Sequence, residues 1–511
     1  MSVVSRALSS RGRSSLASVP VGWLLLAACL GLAGCPATPP PQAVQVETLP
    51  YAGTQSRLLV PEGTPLLQQW QVPLSEWSTQ TGGEATLVER PSGDLERLSP
   101  PAGDAPAELA ILSYAELPEV AQRLTLQVLP NEALADEGGL AWSDLMPGVR
   151  ERLAAPRRKP LLLPLSAPVY VCYVRADLLQ KAGRRPPQTW AEYQALVEQL
   201  SEWAPGLTAY EPWGADSRAT LFLAKALAHA KHPENYSVFV DLETLEPLIA
   251  GPPFVRAWEE CRAVARRLPA EVWQAGPFAA RREVLEGRAA MALAYEPTGG
   301  EQRADTAEWL AQRVPDIELE MVPLPGVVEV WNPQRRQWEG GGGRRGTTTV
   351  QRADLTAFEG ACVCGFAVSG RDERHWAPAW NLVASLAGPD YLSRLPPGFA
   401  GVTRRSQLAD STQVCGPELQ SLESARYLAS LATVLEGSQL VYELPFPRRG
   451  QFRELLAKAL KEGLVNEQDP ATALGAVATG WSRLIDEMGR ENFRRAYRQI
   501  LGLGERLTAS P

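Results

Sequence analysis

Apolar residues recur along the chain with two periods, one typical of short buried strands and the other of amphipathic helices. Strand-like apolar runs lie at 57–60, 85–89 and 109–112, and a helical pattern at 66–77 separates the first two runs. Short strands that alternate with helices are typical of α/β domains, in which helices cover a sheet. The pattern therefore predicts an α/β fold.

The clearest local unit begins at residue 169. The run 169–174 is apolar, and a short helical pattern at 175–181 follows it. Thr189 and Glu192 have the spacing of a capping box, in which each side chain bonds the backbone N–H of the other residue. The next apolar positions form one stripe at helical spacing, made of Tyr193, Leu196, Val197 and Leu200. The sequence therefore predicts a strand, a short helix and a capped helix in this order.

The C-terminal region is predicted to be helical. Asp469 is placed as an N-cap, and Pro470 stands at the first helical position, where proline is well tolerated. Two apolar stripes follow at helical spacing, made of Leu474, Val477, Trp481, Leu484, Ile485 and Met488, and then of Phe493, Ala496, Tyr497, Ile500 and Leu501. These stripes predict two helices that face the core.

The segment 326–350 follows neither period. It contains Trp331-Asn-Pro-Gln and, further on, four glycines at 340–343. Arg344, Arg345 and Gly346 follow them. No Gly-Lys-Ser/Thr follows the glycines, so a phosphate-binding loop is not favoured. We expect a long loop, built as a hairpin followed by a solvated segment; anion binding by the two arginines is the alternative.

The first residues have the order of a bacterial export signal. Three arginines precede an apolar run at 21–34, which is shorter than the roughly 20 residues that span a bilayer. The run ends in Leu32-Ala33-Gly34-Cys35, which resembles the lipobox at which lipoproteins are cleaved and lipidated on cysteine. We therefore predict a signal peptide at 1–34 and a lipid on Cys35. The alternative is an ordinary secretory signal in which Cys35 is incidental.

Proline-rich residues follow, so 35–55 is predicted to be a semi-rigid tether to a membrane. The remaining chain is too long for one core and is expected to form two domains. The full chain has a net charge of −8 at pH 7, and loss of the signal-peptide arginines makes the remaining chain more acidic. Because phosphate binding needs a basic surface, nucleic acid is not expected as a partner.

Five cysteines remain in the body of the chain, and in an oxidising compartment they are able to form one or two disulfides, whose pairing stays open. They are Cys172, Cys261, Cys362, Cys364 and Cys415. Cys362 and Cys364 lie two apart in a predicted strand and so share a face. With three histidines in the chain and no second cysteine pair, neither a metal site nor a cofactor is expected.

Five segments, in order, resemble the family 1 extracellular solute-binding proteins, typified by maltose-binding protein. The first runs from Val171-Cys-Tyr-Val-Arg through Pro186-Pro-Gln-Thr-Trp-Ala-Glu-Tyr. The others are Leu248-Ile-Ala-Gly-Pro-Pro-Phe-Val-Arg-Ala-Trp, Gly287-Arg-Ala-Ala-Met-Ala-Leu-Ala-Tyr, Gly365-Phe-Ala-Val-Ser and the closing helices at 453–503. Together they cover almost the whole predicted mature chain.

The resemblance implies a two-lobed periplasmic-binding-protein type II fold with a ligand cleft between α/β lobes. Residues 56–165 and 301–387 would form lobe I, and residues 166–300 and 388–511 would form lobe II. Such a protein captures a small solute outside the cytoplasm and delivers it to the membrane subunits of an ABC permease. The lipid on Cys35 would hold it at the membrane.

Two candidate ligand residues follow from strand ends, where ligands bind in open α/β sheets. They are Glu62 and Tyr114, expected at the rim of the cleft in the first lobe. The remaining candidates follow from the resemblance. Trp213 would stack on a sugar, and Glu211 would accept its hydroxyls. Further ligand contacts would come from Tyr295, Glu296 and Arg404.

Composition favours a carbohydrate, because 15 Trp exceed both 10 Phe and 12 Tyr, and indole rings stack on sugar C–H faces. No Gly-x-Ser-x-Gly or His-Glu-x-x-His occurs, so a binder is favoured over a secreted hydrolase. Val174 and Arg175 replace the asparagine and lysine usual in the family. This difference keeps open a second alternative, an envelope interaction or sensory lipoprotein that retains the solute-binding fold.

Overall fold

The computed structural model describes residues 49–63, 66–91, 108–123, 126–135, 139–154, 160–276, 279–296, 317–340, 350–356, 361–366, 376–394, 402–409, 414–415, 419–437 and 439–503. The predicted signal peptide, Cys35 and most of the predicted tether lie outside these residues. Arg344 and Arg345 lie outside them as well.

The described strands, numbered along the chain, are β1 Gln55–Pro61, β2 Glu84–Arg90, β3 Leu109–Ser113, β4 Leu126–Gln127, β5 Leu162–Pro164, β6 Val169–Arg175, β7 Thr208–Tyr210, β8 Ala289–Glu296, β9 Leu319–Pro323, β10 Glu329–Asn332, β11 Gln337–Gly340, β12 Asp354–Thr356, β13 Ala361–Phe366 and β14 Leu440–Tyr442. The predicted strands at 57–60, 85–89, 109–112 and 169–174 are confirmed.

The described α-helices are α1 Leu66–Thr81, α2 Leu117–Arg123, α3 Asn131–Leu134, α4 Ala176–Lys181, α5 Trp190–Glu198, α6 Leu200–Trp203, α7 Arg218–Ala230, α8 Pro252–Ala265, α9 Ala279–Leu285, α10 Trp376–Ala387, α11 Pro389–Leu392, α12 Ser421–Leu435, α13 Arg449–Val465, α14 Pro470–Met488 and α15 Arg490–Ile500. A π-helical turn spans Val149–Ala154. With the strands, these helices confirm the α/β class.

The first sheet has the strand order β2-β1-β3-β13-β4, and β5 also pairs with β13. β1 is parallel to β2 and β3, whereas β13 runs antiparallel to its neighbours. Side chains alternate between the faces of a strand. On β1, Leu58 and Val60 therefore join a core that contains Trp70, Trp77, Trp376 and Trp380. α1 and α10 cover this face of the sheet.

The second sheet has the order β14-β12-β6-β8-β7, and β9 also pairs with β6. β6 is paired along both edges, and its first six residues are buried. A strand enclosed in this way has a continuous apolar sequence rather than an alternating one. This explains why the run 169–174 is apolar throughout.

The pairing of β9 and β12 differs from the predicted lobe boundaries. Both strands lie within 301–387, which was predicted to belong with the first sheet, yet both pair with β6 of the second sheet. β13 is the next described strand and pairs in the first sheet. The chain therefore passes from the second sheet to the first between β12 and β13. The earlier passage lies between β5 of the first sheet and β6 of the second.

Both predicted helix caps are present. At α5, the Glu192 N–H donates to Thr189 Oγ1 at 3.2 Å and the Thr189 N–H donates to Glu192 Oε2 at 3.0 Å. At α14, the Thr472 N–H donates to Asp469 Oδ2 at 2.8 Å. Each bond satisfies an N–H group that the helix itself leaves without a partner. The capping residues therefore set where these helices begin.

The C-terminal stripes are core, as predicted. The Phe446 ring lies between α13, α14 and α15 and contacts the rings of Phe452, Trp481, Phe493 and Tyr497. The Trp481 indole N–H donates to the Phe452 carbonyl oxygen at 2.9 Å. Because this bond satisfies its polar atom, Trp481 can be fully buried.

The predicted hairpin in 326–350 is confirmed by the antiparallel strands β10 and β11, which pair Trp331 with Trp338. Cys172 and Cys261 are buried and form no disulfide, and the buried Cys415 thiol lies 3.9 Å from the Ser424 carbonyl oxygen. Within the described ranges, no helix is both long and apolar enough to span a bilayer, and no group of three or more side chains is arranged to hold a metal ion.

Candidate functional site

A buried ion pair joins the carboxyl ends of β2 and β3. The Arg90 guanidinium donates to both carboxylate oxygens of Glu116, at 2.9 and 3.0 Å, and to the Ile111 carbonyl oxygen at 3.1 Å. The Ser113 N–H donates to the same carboxylate at 2.8 Å. A bidentate arginine–carboxylate pair has a fixed geometry. It therefore holds the turn that carries Tyr114.

The two sheets approach each other at this turn. The Tyr114 ring, which follows β3, lies 5.7 Å from the ring of Tyr442 at the end of β14. Nearby, the Arg448 N–H donates to Glu119 Oε1 of α2 at 3.0 Å. Tyr114 is 3% exposed, so it is buried where a rim position was predicted. The ring of Tyr442 packs against it from the second sheet.

Glu211 and Trp213, which follow β7, belong to one buried cluster. The Lys225 ammonium donates to both Glu211 carboxylate oxygens at 2.7 Å, and the Trp213 indole N–H donates to Glu211 Oε2 at 3.0 Å. The ammonium also lies within 5.7 Å of the ring centroids of Trp190, Tyr193 and Trp213. Trp213 has 0% exposure, so its ring offers no face to a solute in this conformation.

The Glu211–Lys225 contact keeps Lys225 charged. Burial by itself lowers the pKa of a lysine, but the nearby acidic groups, with Glu211 foremost, raise the pKa of Lys225 above its ordinary value. Lys225 lies on α7, and every residue of that helix is buried. The Glu211–Lys225 ion pair therefore lies buried beside the second sheet. Each charged group is satisfied by the other, and three aromatic rings surround the ammonium.

Tyr295 and Glu296 end β8 and are also buried. The Tyr295 ring lies 5.0 Å from the ring of Tyr170, its partner on β6. Glu296 accepts hydrogen bonds from the hydroxyls of Tyr173 at 3.0 Å and Tyr427 at 3.2 Å. Arg281 Nη1 lies 3.4 Å from the same carboxylate. These contacts tie β6, β8, α9 and α12 together.

Arg404 and Glu62 lie in different surroundings. The buried Arg404 donates to the carbonyl oxygens of Ala141 at 3.0 Å and Ala387 at 3.3 Å, and burial lowers its pKa to about 10. Glu62 is exposed in the turn after β1. The seven predicted ligand residues therefore fall into separate groups rather than one continuous surface, and their contact with a solute stays a prediction.

Sequence reasoning missed the partners of these candidates. Lys225 interrupts an apolar helical run, and a charge at a buried helical position signals a buried counter-charge. Glu443 is a second missed carboxylate, which accepts from Thr220 Oγ1 at 3.0 Å and pairs with Arg449 at 2.9 Å and Arg453 at 3.3 Å. Thr220 lies 223 residues from Glu443 in the chain, so no local spacing predicts this contact.

Two α/β halves, joined by a chain that crosses between them, define the two-lobed periplasmic-binding-protein type II class. The chain belongs to the family described as bacterial extracellular solute-binding protein, whose model matches residues 88–390. The predicted family and fold class are confirmed. The comparison with curated proteins returned no match.

Solved structures with this fold include three informative neighbours. The sugar-binding protein MalE from Xanthomonas citri has a TM-score of 0.61 at 16% identity and covers 85% of this chain and 98% of its own. Maltose-bound MalE3 from T. maritima has a TM-score of 0.56 at 17% identity, with coverages of 84% and 100%. A solute-binding protein from Agrobacterium vitis with bound D-mannitol has a TM-score of 0.53 at 15% identity, with coverages of 85% and 99%. All three are binding proteins.

Replacing Lys225 tests whether the buried pair is internal structure. Lys225→Met leaves the Glu211 carboxylate buried without its cation, which is expected to lower the free energy of unfolding by about 3–5 kcal/mol. The double variant Lys225→Met/Glu211→Gln removes both charges and should recover part of the loss. Guanidinium unfolding measures both effects, with Lys461→Met, an exposed lysine on α13, as the control. A double variant no more stable than the single one would contradict this interpretation.

Proposed function

We propose that this protein captures a carbohydrate or polyol between its lobes and delivers it to an ABC-type permease. The meeting of Tyr114 and Tyr442 at the strand ends of two different sheets carries the proposal. Aromatic rings suit the C–H faces of sugars. The sugar and polyol binders that share the fold support the same class of solute.

The proposed contact residues divide by their accessibility. Glu62 is exposed and would accept hydroxyl hydrogen bonds, while Tyr114 would stack on the sugar once the lobes separate it from Tyr442. Trp213, Glu211, Tyr295, Glu296 and Arg404 are buried. They would reach a solute only in a conformation that exposes them. Solute affinity for a closed form would then shift the equilibrium between open and closed lobes.

The proposed location is outside the cytoplasm, at a membrane surface. The family is extracellular, and the segment Leu32-Ala33-Gly34-Cys35 supports lipidation of Cys35 after cleavage. The proline-rich residues 35–55 would hold the binding lobes away from the bilayer. Delivery to a permease would require the closed form to dock on membrane subunits.

Solute binding can be measured by titration calorimetry on the full chain in detergent, with maltose, longer oligosaccharides, mannitol and ribitol. At least one should bind, and Tyr114→Ala should weaken its affinity by about tenfold, roughly 1.4 kcal/mol, through loss of a stacking face. Val465→Ala shortens an apolar side chain that is 59% exposed at the end of α13 and serves as the control.

Two outcomes would contradict the carbohydrate proposal. One is that no sugar or polyol in a broad panel binds to folded, ligand-free protein. The other is that Tyr114→Ala and Val465→Ala behave alike. A solute recovered chemically altered would contradict a binding function itself.

Lipid anchoring depends on the thiol of residue 35. In a bacterial host, the wild-type chain should partition into the membrane fraction and incorporate labelled fatty acid. Cys35→Ser should lose the label, and Cys29→Ser, within the predicted signal peptide, should keep it. Equal labelling of the wild type and Cys35→Ser would exclude lipidation at this position.

A further inference from the structure

A cavity of about 690 Å³ lies between segments of the two halves of the fold, one built around each sheet. One wall comes from Trp142 and the π-helical turn that contains Arg150, Glu151 and Arg152, which precedes β5 of the first sheet. The opposite wall comes from the second half: residues 231–239 after α7, the strand β14 and the end of α15. Its volume falls within the range of small-molecule sites.

The charged side chains of this cavity are mostly cationic. Arg150, Arg152 and Lys231 line it, with Glu151 as the acidic residue among the lining groups. The chain as a whole carries a net charge of −8, so a local excess of positive charge runs against its composition. Cations of both halves line one partly open cavity, and a cleft with an excess of one charge attracts ions of the other.

Lys231 contributes a partly buried ammonium to the wall. Its Nζ donates to the carbonyl oxygens of His232 and Asn235. Burial, and next the charge of Arg152, lower the pKa of Lys231 to about 8. A negative group in the cavity would offset both effects, because it favours the charged ammonium.

The remaining walls suit the uncharged body of a ligand. Trp142 is partly exposed, and Tyr236 is 68% exposed, which is unusual for so large a ring. Tyr442, which contacts Tyr114, also forms part of the lining. Rings beside cations suit a ligand that joins an apolar or ring-shaped body to an acidic group.

We propose that this cavity binds a small organic anion, with a carboxylate or phosphate group held between Arg150, Arg152 and Lys231 and a ring-shaped body against Trp142 and Tyr236. Its contacts come from both halves of the fold. A bound anion therefore stabilises one arrangement of the lobes and shifts their equilibrium toward it. Anion binding does not depend on the identity of the solute in the proposed carbohydrate site.

The test uses calorimetry and tryptophan fluorescence of the full chain in detergent, at low ionic strength. The probes are glucuronate for a carboxylate, glucose 6-phosphate for a phosphate ester, inorganic phosphate for the bare anion, and glucose as the neutral analogue. We expect saturable binding of glucuronate or glucose 6-phosphate, which glucose does not displace. The preferred probe identifies the acidic group.

Variants on both walls test the bridging geometry. Lys231→Met and Arg150→Gln should each weaken binding of the preferred anion by at least about fivefold, whereas Lys461→Met should not change it. In the wild type, affinity should fall as the pH rises through about 8, and this dependence should disappear in Lys231→Met. Tyr114→Ala should keep anion binding, which separates this site from the carbohydrate proposal.

Three results would overturn the proposal. The first is that none of the three anions binds. The second is that anions bind Lys231→Met and Arg150→Gln as tightly as the wild type, with both variants melting at the wild-type temperature. The third is that neutral glucose displaces the bound anion with equal affinity.

Discussion

The first sheet is completed by β13, a strand that comes late in the chain, and the two-lobed arrangement depends on this pairing. β13 lies between β3 and β4 and also pairs with β5. Residues between β5 and β13 therefore leave the first sheet, build the second around β6, and return. Three passages of the chain therefore link the two sheets, and one hydrophobic cluster contains residues of both, such as Leu112 of β3 and Val171 of β6. A fold tied together in this way can change the angle between its halves while each sheet stays intact.

Charged groups at the strand ends are satisfied by other protein groups. Arg90 is paired with Glu116, Glu211 with Lys225, and Glu296 with tyrosine hydroxyls and Arg281. Such networks fix the positions of the turns that carry aromatic residues, because each carboxylate accepts from more than one donor. Tyr114 and Tyr442 meet across the two halves on this rigid support. The cationic cavity beside Tyr442 differs, since its lining side chains carry an excess of positive charge.

Local patterns predicted the elements well. The capping box at Thr189, the cap at Asp469 and the hairpin in 326–350 are present because each depends on residues a few positions apart. The pairing of β9 and β12 with β6 differs from the lobes expected around residue 301, since pairing between distant strands leaves no local signal. The predicted site residues were mostly found at strand ends. Their burial was not predictable, because it depends on partners such as Lys225 and Tyr442 from other segments.

Neutron scattering of the full chain, with the detergent contrast-matched, tests solute capture between lobes most directly. A bound sugar or polyol should lower the radius of gyration of the protein, and the decrease should saturate at the concentration at which calorimetric binding saturates. A sugar that binds with measurable heat and leaves the scattering curve unchanged would contradict capture by closure of the two lobes.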